Sequence, residues 1–321
     1  MTVEDAIAAC WEKWARAEKG ILMDSFRLSV MSWSDNIFTF ARSAVDAAEM
    51  MGDLEEQLGK LHGLQLKGDS REIIKAACVS YSSYTFRDGG GKLWCVKPVC
   101  RVLGPLVSCT GSPTEDIERT ISTIYKAYFK NSRSLTNQKL DLTRRAKFMN
   151  QMALGIIRSR AAAWSLSRHV CESLDKCHTK LLTWMAKVRM HPGEAFKQFA
   201  SRRAHITRKA KVEQWSKVYM ESAISWLSHT QRHPESVAHQ AIICQGPEWV
   251  AKRRKHTFDM VKGWNTRTGT RSARGRVFRY DSSGWTIRHN PNGTKDRETI
   301  RQLAQSALEE MGINIHISRS S

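Results

Sequence analysis

The 321-residue sequence predicts an α+β protein. Two observations carry that expectation, and a third bears on partners rather than on fold. Over the first 110 or so positions, apolar residues fall in short runs separated by turn-forming residues, the mark of short strands. From 114 to 190 they recur every three or four residues, the mark of amphipathic helices. The charge, finally, is uneven: residues 1–130 carry 16 Lys+Arg against 17 Asp+Glu, a net of −1, and residues 131–321 carry 35 against 14, a net of +21. With 41% hydrophobic residues the chain has apolar mass for more than one core. A total charge of +20 points to a polyanionic partner. A solvated basic tail is the plain alternative, and phosphate binding is favoured because the basic runs recur with aromatics between them.

Residues 4–20 read as a helix with Ile7, Cys10, Trp11, Trp14 and Ala15 on one face, a packing stripe ended by Gly20. The stretch Ser32-Trp33-Ser34-Asp35-Asn36-Ile37-Phe38 follows, with Val30-Met31 and Ile37-Phe38 flanking an Asp-Asn pair. It reads as two short strands joined by a tight turn. A carboxylate at such a turn is held at a sheet edge, where oxygen ligation of a divalent cation is one role and making the turn is the other. Residues 46–61 place Ala47, Met50, Met51, Leu54, Leu58 and Leu61 at helical spacing. Strands are expected over 73–86 and 93–107, joined by Asp88-Gly89-Gly90-Gly91 as a hairpin loop. No helix and no Gly-Lys-Ser/Thr follows those glycines, which excludes a nucleotide-binding loop. The strands around 26–40 and 93–107 are expected to pair within one antiparallel sheet backed by the 46–61 helix, which has an apolar face to bury.

Thr114 opens a helix with Glu115, Asp116 and Glu118 at its positive end and Ile117, Ile121, Ile124 and Tyr128 as its stripe. A second, about 143–164, puts Phe148, Met152, Ile156 and Ile157 on one side and Arg144, Arg145, Lys147, Arg158 and Arg160 largely elsewhere. A third, about 167–190, carries Leu174, Leu181, Met185 and Val188. Short connections between amphipathic helices imply a bundle. His169, Cys171, Cys177 and His178 suggest zinc by type but not by spacing. On one continuous helix the two cysteines lie about 120° apart and cannot converge tetrahedrally.

Beyond His191-Pro192-Gly193, a basic helix is expected from Arg202 to about His229, with Arg202, Arg203, Arg208 and Lys209 at its start and Trp215, Tyr219 and Trp226 along it. Lys252-Arg253-Arg254-Lys255 is the densest basic run. Residues 276–288 alternate like a small hairpin about Asp281-Ser282-Ser283-Gly284, and the arginines there with Trp264 and Trp285 suit a nucleic-acid surface. An ordinary amphipathic helix, about 295–311, comes last. No apolar run approaches the roughly 18 residues of a membrane span. Glu4 and Asp5 do not fit a signal layout. Eight scattered cysteines fit reduced thiols in an intracellular compartment, nucleus or cytoplasm.

In order and spacing, Trp33-Ser34-Asp35-Asn36, the helix leading to Gly63-Leu64, and Leu103-Gly104 ahead of the bundle resemble the reverse transcriptases of non-LTR (LINE-type) retroelements. The resemblance covers roughly residues 20 to 190. It implies a partial polymerase palm over 1–112, a helical thumb-like bundle over 113–190, and a basic C-terminal region with helices and a small hairpin over 191–321. It further implies Asp35 and Asn36 as the palm's catalytic pair, Asp35 as a ligand for Mg²⁺, and a thumb whose basic face, with Arg144, Arg145 and Lys147, grips a template–primer backbone. The sequence departs from the family in three ways. Asn36 stands where the family has its second aspartate. The lysine expected soon after the Gly-Leu step falls near Ser70, with only Lys67 close by. The family's other metal-binding aspartate belongs upstream of Asp35, where Asp5 and Asp24 lack a strand context.

The expected function is therefore a retroelement-derived RNA-directed DNA polymerase fragment that binds RNA or DNA and is inactive alone. Mg²⁺ is its cofactor if it is active, and a separate chain or upstream segment supplies the rest of the palm. The alternative is a non-catalytic basic RNA/DNA-binding protein. A third class, a basic scaffold for acidic proteins or membrane surfaces, follows from the helices alone.

Overall fold

In the computed structural model, the described residues are 2–23, 26–33, 36–67, 71–75, 84–109, 113–164, 166–243 and 292–313. They fall into two compact units that divide after position 112.

The first unit opens with α1 (Thr2–Arg16), followed by two antiparallel hairpins, β1 (Ile21–Met23) with β2 (Phe26–Leu28) and β3 (Val30–Trp33) with β4 (Asn36–Thr39). Gly20, between α1 and β1, has a φ of +114°, and a Cβ there would meet the Leu28 carbonyl oxygen at 2.8 Å. Only glycine fits that close approach. Helix α2 (Ala44–His62) is bounded as its sequence dictates. The Ser43 side chain accepts from the Asp46 N–H at 3.0 Å, and Gly63, at φ 66°, turns the chain so that its own N–H donates to Gly59 and the Leu64 N–H to Leu58.

Helix α2 has two apolar sides, and each is covered. Met50, Leu54 and Leu58 pack on Ala6, Cys10 and Trp14 of α1, with Val30 and Ile37 of the β3–β4 hairpin at the margin. Ala48, with Ala44, Ala47 and Met51 beside it, packs on Ile73, Trp94 and Val96. Those three belong to a sheet of order β5-β7-β6, made of β5 (Glu72–Ile74), β6 (Tyr84–Arg87) and β7 (Leu93–Lys97). In it β6–β7 is antiparallel and β5–β7 parallel. Polar ties match the apolar ones: Trp14 Nε1 donates to Asp53 at 3.0 Å, and Glu55 accepts from Arg71 at 2.7 Å and from Lys92. A last hairpin pairs β8 (Val99–Arg101) with β9 (Leu106–Ser108).

This arrangement corrects one expectation. The strands of 26–40 and of 93–107 do not pair with one another; they lie in separate small sheets. The physical reason is α2 itself. Its apolar surface is wide enough to need cover on two sides, so the hairpin goes to the α1 side while β7 takes β5 and β6 as neighbours. The loop at 88–91 is as expected: Asp88 accepts from the Gly90 and Lys92 N–H groups at 2.9 Å and from Trp94 Nε1 at 2.8 Å.

The second unit is helical: α3 (Thr114–Lys130), α4 (Ser132–Leu135), α5 (Leu142–Ala161), α6 (Arg168–Met185), α7 (Phe196–Lys209), α8 (Trp215–Gln231), α9 (Val237–Ile243) and α10 (Arg297–Glu310). One core joins Ile117 and Ile124 of α3, Met149 and Ile157 of α5, Leu174 and Leu181 of α6, Trp215 and Tyr219 of α8, and Ala304 and Leu308 of α10. The buried carboxylate of Asp116 accepts from Arg160 and, at 2.8 Å, from Trp164 Nε1, tying the start of α3 to the end of α5. Among the described residues, no helix is long and apolar enough to cross a membrane.

The basic helix expected over 202–229 is in fact two. Lys211 takes φ 47°, and Asp175 of α6 accepts from the Ser216 N–H at 3.0 Å and the Gln214 side chain at 2.6 Å. A carboxylate from a neighbouring helix thus starts α8 afresh, which periodicity along the chain cannot register.

Arg145 is a second correction. Expected on the basic face, it is buried, and its guanidinium donates to the carbonyls of Leu135 at 2.8 Å, Leu140 at 3.0 Å and Met185 at 2.6 Å. Leu135 and Met185 are the last residues of α4 and α6, so Arg145 satisfies carbonyls that their helices leave open. Arg145→Ala should lower unfolding free energy by about 3 kcal/mol, since charged hydrogen bonds are lost and buried carbonyls are stranded. Arg144→Ala next to it, exposed, should stay within about 0.5 kcal/mol. Urea midpoints at unchanged slope measure both.

Candidate nucleic-acid interface

The sequence points to two kinds of site, a hairpin carboxylate and a basic surface. At the hairpin, Trp33 pairs with Asn36, so a two-residue connection joins β3 to β4. Asn36 is the first residue of β4 and is exposed. Ser34 and Asp35 lie outside the described residues, so the expected Mg²⁺ ligand has no described geometry. Among the described residues, no group of three or more His, Cys, Asp or Glu gathers where it could hold a metal ion. The residues do not fit a two-metal centre well. A neutral amide such as that of Asn36 offers a hard dication less than a carboxylate does.

The sites expected for phosphate contact divide into three groups. Arg144 and Lys147 are exposed on α5, and Arg208 and Lys209 are exposed at the end of α7. Arg145 serves the bundle interior. Arg202 and Arg203 are half-buried: Arg202 donates to both carboxylate oxygens of Glu194, at 2.8 and 2.6 Å, and to the Arg189 carbonyl, while Arg203 donates to Thr183 Oγ1 at 3.3 Å. Both guanidiniums lie near the Phe199 ring, at 5.7 and 5.6 Å from its centroid. The Arg202 bond holds the Glu194 carboxyl down at about 2. Arg202 is thus engaged in positioning the loop before α7, a role that its place in a basic run does not reveal. Lys252, Arg253, Arg254, Lys255, Trp264 and Trp285, and the hairpin expected over 276–288, lie outside the described residues.

A groove of about 540 Å³ runs between α6 and α7, lined by Lys176, His178, Thr179, Arg203, Thr207 and Gln214 among others. Its carboxylates, Glu172 and Asp175, are both bonded, Glu172 to Arg168 at 2.7 Å and Asp175 to the start of α8. His178 is buried and stacked on Trp215, centroids 4.7 Å apart and planes 5° from parallel. Cys171 and Cys177 are buried in the same core, where burial pushes the Cys177 thiol up to about 11 and keeps it protonated. These side chains pack the bundle.

One group of residues escapes sequence reading. Tyr125, Tyr128 and Phe129 of α3 surround Trp184 of α6, with centroid distances of 5.7 to 5.8 Å. Lys180 Nζ sits 4.9 Å from the Trp184 centroid and 5.4 Å from that of Tyr125. The available signal is Phe129 itself, a large aromatic about 100° off the stripe that ends at Tyr128. Comparison of the chain with family models, with curated proteins and with solved structures finds no match.

Burial pulls the His178 pKa down to about 3. The unfolded chain binds this proton below about pH 6.5, which the folded chain refuses until about pH 3. Its contribution to stability is therefore lost as pH falls through that window, by up to about 1.4 kcal/mol per unit. His178→Phe should flatten the pH dependence of the urea midpoint between pH 6.5 and 4.5 relative to the unaltered protein.

Proposed function

We propose that this chain is of the non-LTR retroelement reverse-transcriptase type, binds RNA or DNA and does not polymerise on its own. The single observation that carries the binding half of this reading is the charge separation, −1 over residues 1–130 against +21 over 131–321. A surplus of that size on one part of a chain favours a polyanion through release of condensed counterions. The retroelement half rests on the order and spacing of Trp33-Ser34-Asp35-Asn36, Gly63-Leu64 and Leu103-Gly104, and the β3–β4 hairpin is consistent with it.

A second reading, a basic RNA/DNA-binding protein with no catalytic past in use, is favoured by two observations. Asn36 removes a charge from the hairpin, and that hairpin shares no sheet with the strands of 93–107. Both readings predict binding; they differ over nucleotide transfer. In a two-metal transfer the cations stabilise the attacking and leaving oxygens, and their usual carboxylate cage is reduced here to Asp35 beside an amide.

Affinity for nucleic acid should fall steeply with salt. If about six phosphates are neutralised, log affinity against log salt should have a slope of about −4 on single strands and about −5 on duplex. Replacing Lys252, Arg253, Arg254 and Lys255 together by Ala should flatten it by roughly one unit per lost phosphate contact. Fluorescence anisotropy over a salt series measures both, and affinity indifferent to salt would end the nucleic-acid reading.

In a primer-extension assay with Mg²⁺ the purified chain should add no nucleotides. Template-dependent incorporation that disappears in Asp35→Ala would overturn that expectation and restore the catalytic reading.

A further inference from the structure

The aromatic cluster between α3 and α6 has an open member. Phe129 is 59% exposed although it touches Tyr128 edge-on, centroids 5.5 Å apart, and Trp184 at a 41° tilt. Tyr128, one position earlier and about 100° round the helix, is buried, so Phe129 is the open face of the cluster. Its neighbours fix its orientation, so a flat ligand meeting it finds a surface already ordered.

The segments that carry the cluster are basic. Residues 119–140 contain five Lys+Arg and residues 176–193 contain four, and neither segment contains an Asp or Glu. Lys126 and Lys130, on α3 beside Phe129, and Lys180, over Trp184, are all exposed. Among the described residues, none of these three lysines has an ion-pair partner. Rings with lysines and no acids match the two chemistries of one ligand: a nucleobase has a π-face to stack, and the phosphates on either side of it take ammonium groups. A duplex offers the phosphates but keeps its base faces stacked within, so the ring distinguishes paired from unpaired strands.

We propose that Phe129, braced by Trp184 and flanked by Lys126, Lys130 and Lys180, is a stacking platform for an unpaired base of single-stranded nucleic acid. This rests on the nucleic-acid reading above and adds to it a place and a preference for unpaired strands. Phe129 is exposed, so it can be changed without entering the core.

The test compares three ligands by anisotropy at one salt concentration: oligo(dT), oligo(rU) and a DNA duplex of equal length. Phe129→Ala should weaken binding to a single strand by about five- to a hundredfold, the range for losing one base–aromatic stack, and change duplex affinity by less than about twofold. Phe129→Trp should keep the affinity and Phe129→Leu should lose it, which separates stacking from mere apolar bulk. The sugar preference emerges from the two single-strand arms. Lys180→Gln should lower affinity for single strand and reduce the salt slope by about one. Circular dichroism melts of each variant should coincide with those of the unaltered protein; a variant that melts early is replaced by Phe129→Tyr, for which single-strand affinity should be kept.

Equal losses on single strand and duplex, or no loss on either, would overturn the platform while leaving the nucleic-acid reading intact. If the unaltered protein binds none of the three ligands, both fall together. Polyglutamate of matched charge gives the remaining outcome: if it displaces oligo(dT) from the unaltered protein as well as unlabelled oligo(dT) does, the surface recognises acidic chains and the base has no part in it.

Discussion

Trp215 enters the helical unit with its ring stacked on His178 of α6 and its indole N–H donated to Asn150 of α5 at 2.9 Å. Asn150 in turn donates to the Glu213 carbonyl at 3.2 Å, in the turn just before Trp215. A fully buried indole needs its N–H satisfied and its faces covered, and here three helices share in doing so. The start of α8 is set by the same neighbourhood, since Asp175, one turn from His178 on α6, caps it. Once α8 is placed, α10 has its apolar side fixed: Ala304 and Leu308 join the core that Trp215 and Tyr219 already occupy. The far end of the bundle thus depends on one tryptophan and the polar atoms that receive it.

The first unit solves a different problem. Short strands of three to five residues cannot stabilise a sheet by themselves. Helix α2 stands in for the missing breadth by presenting apolar residues toward α1 and toward the β5-β7-β6 sheet together. Its charged residues serve as cross-links: Asp53 holds Lys13 and Trp14 of α1, and Glu55 holds Arg71 and Lys92 at the sheet. Each carboxylate has two donors, which is why charges placed so near a core are tolerated.

In the helical unit the basic residues have been sorted by burial. Arg145 and Arg160 are spent inside, closing carbonyl ends and neutralising Asp116. Arg202 is spent on Glu194. Arg144, Lys147, Arg208, Lys209 and the lysines around Phe129 are among the basic residues that remain exposed and available to a partner. Arg160 and Arg202 are already offset in the net charge by Asp116 and Glu194, so of the three engaged arginines only Arg145 subtracts from the charge available to a partner.

Helix starts and stops were determined by the sequence itself wherever the cause is local. Ser43 and Gly63 bound α2, Glu115 and Asp116 suit the first turn of α3, and Asp88 with its glycines shapes the β6–β7 turn, because each acts within a few residues of its own backbone. The β3–β4 pairing is of the same kind, two apolar flanks about a turn. Periodicity also marked the core face of α3, but not that of α5, where Phe148 is exposed and Met149, Ala153 and Ile157 face the core. Tertiary structure alone decided what those faces meet: that β7 pairs in parallel with β5, that α2 separates the hairpin from that sheet, and that a break at 210–214 divides the basic helix. It alone decided that Arg145 points inward and Phe129 outward, although Arg145 adjoins the exposed Arg144 and Phe129 adjoins the buried Tyr128. The physical reason is common to all of these. Local rules fix the backbone that a residue adopts, whereas its partner across the core depends on residues distant in the chain, such as Met185 for Arg145, Trp164 for Asp116 and Cys95 for Glu72.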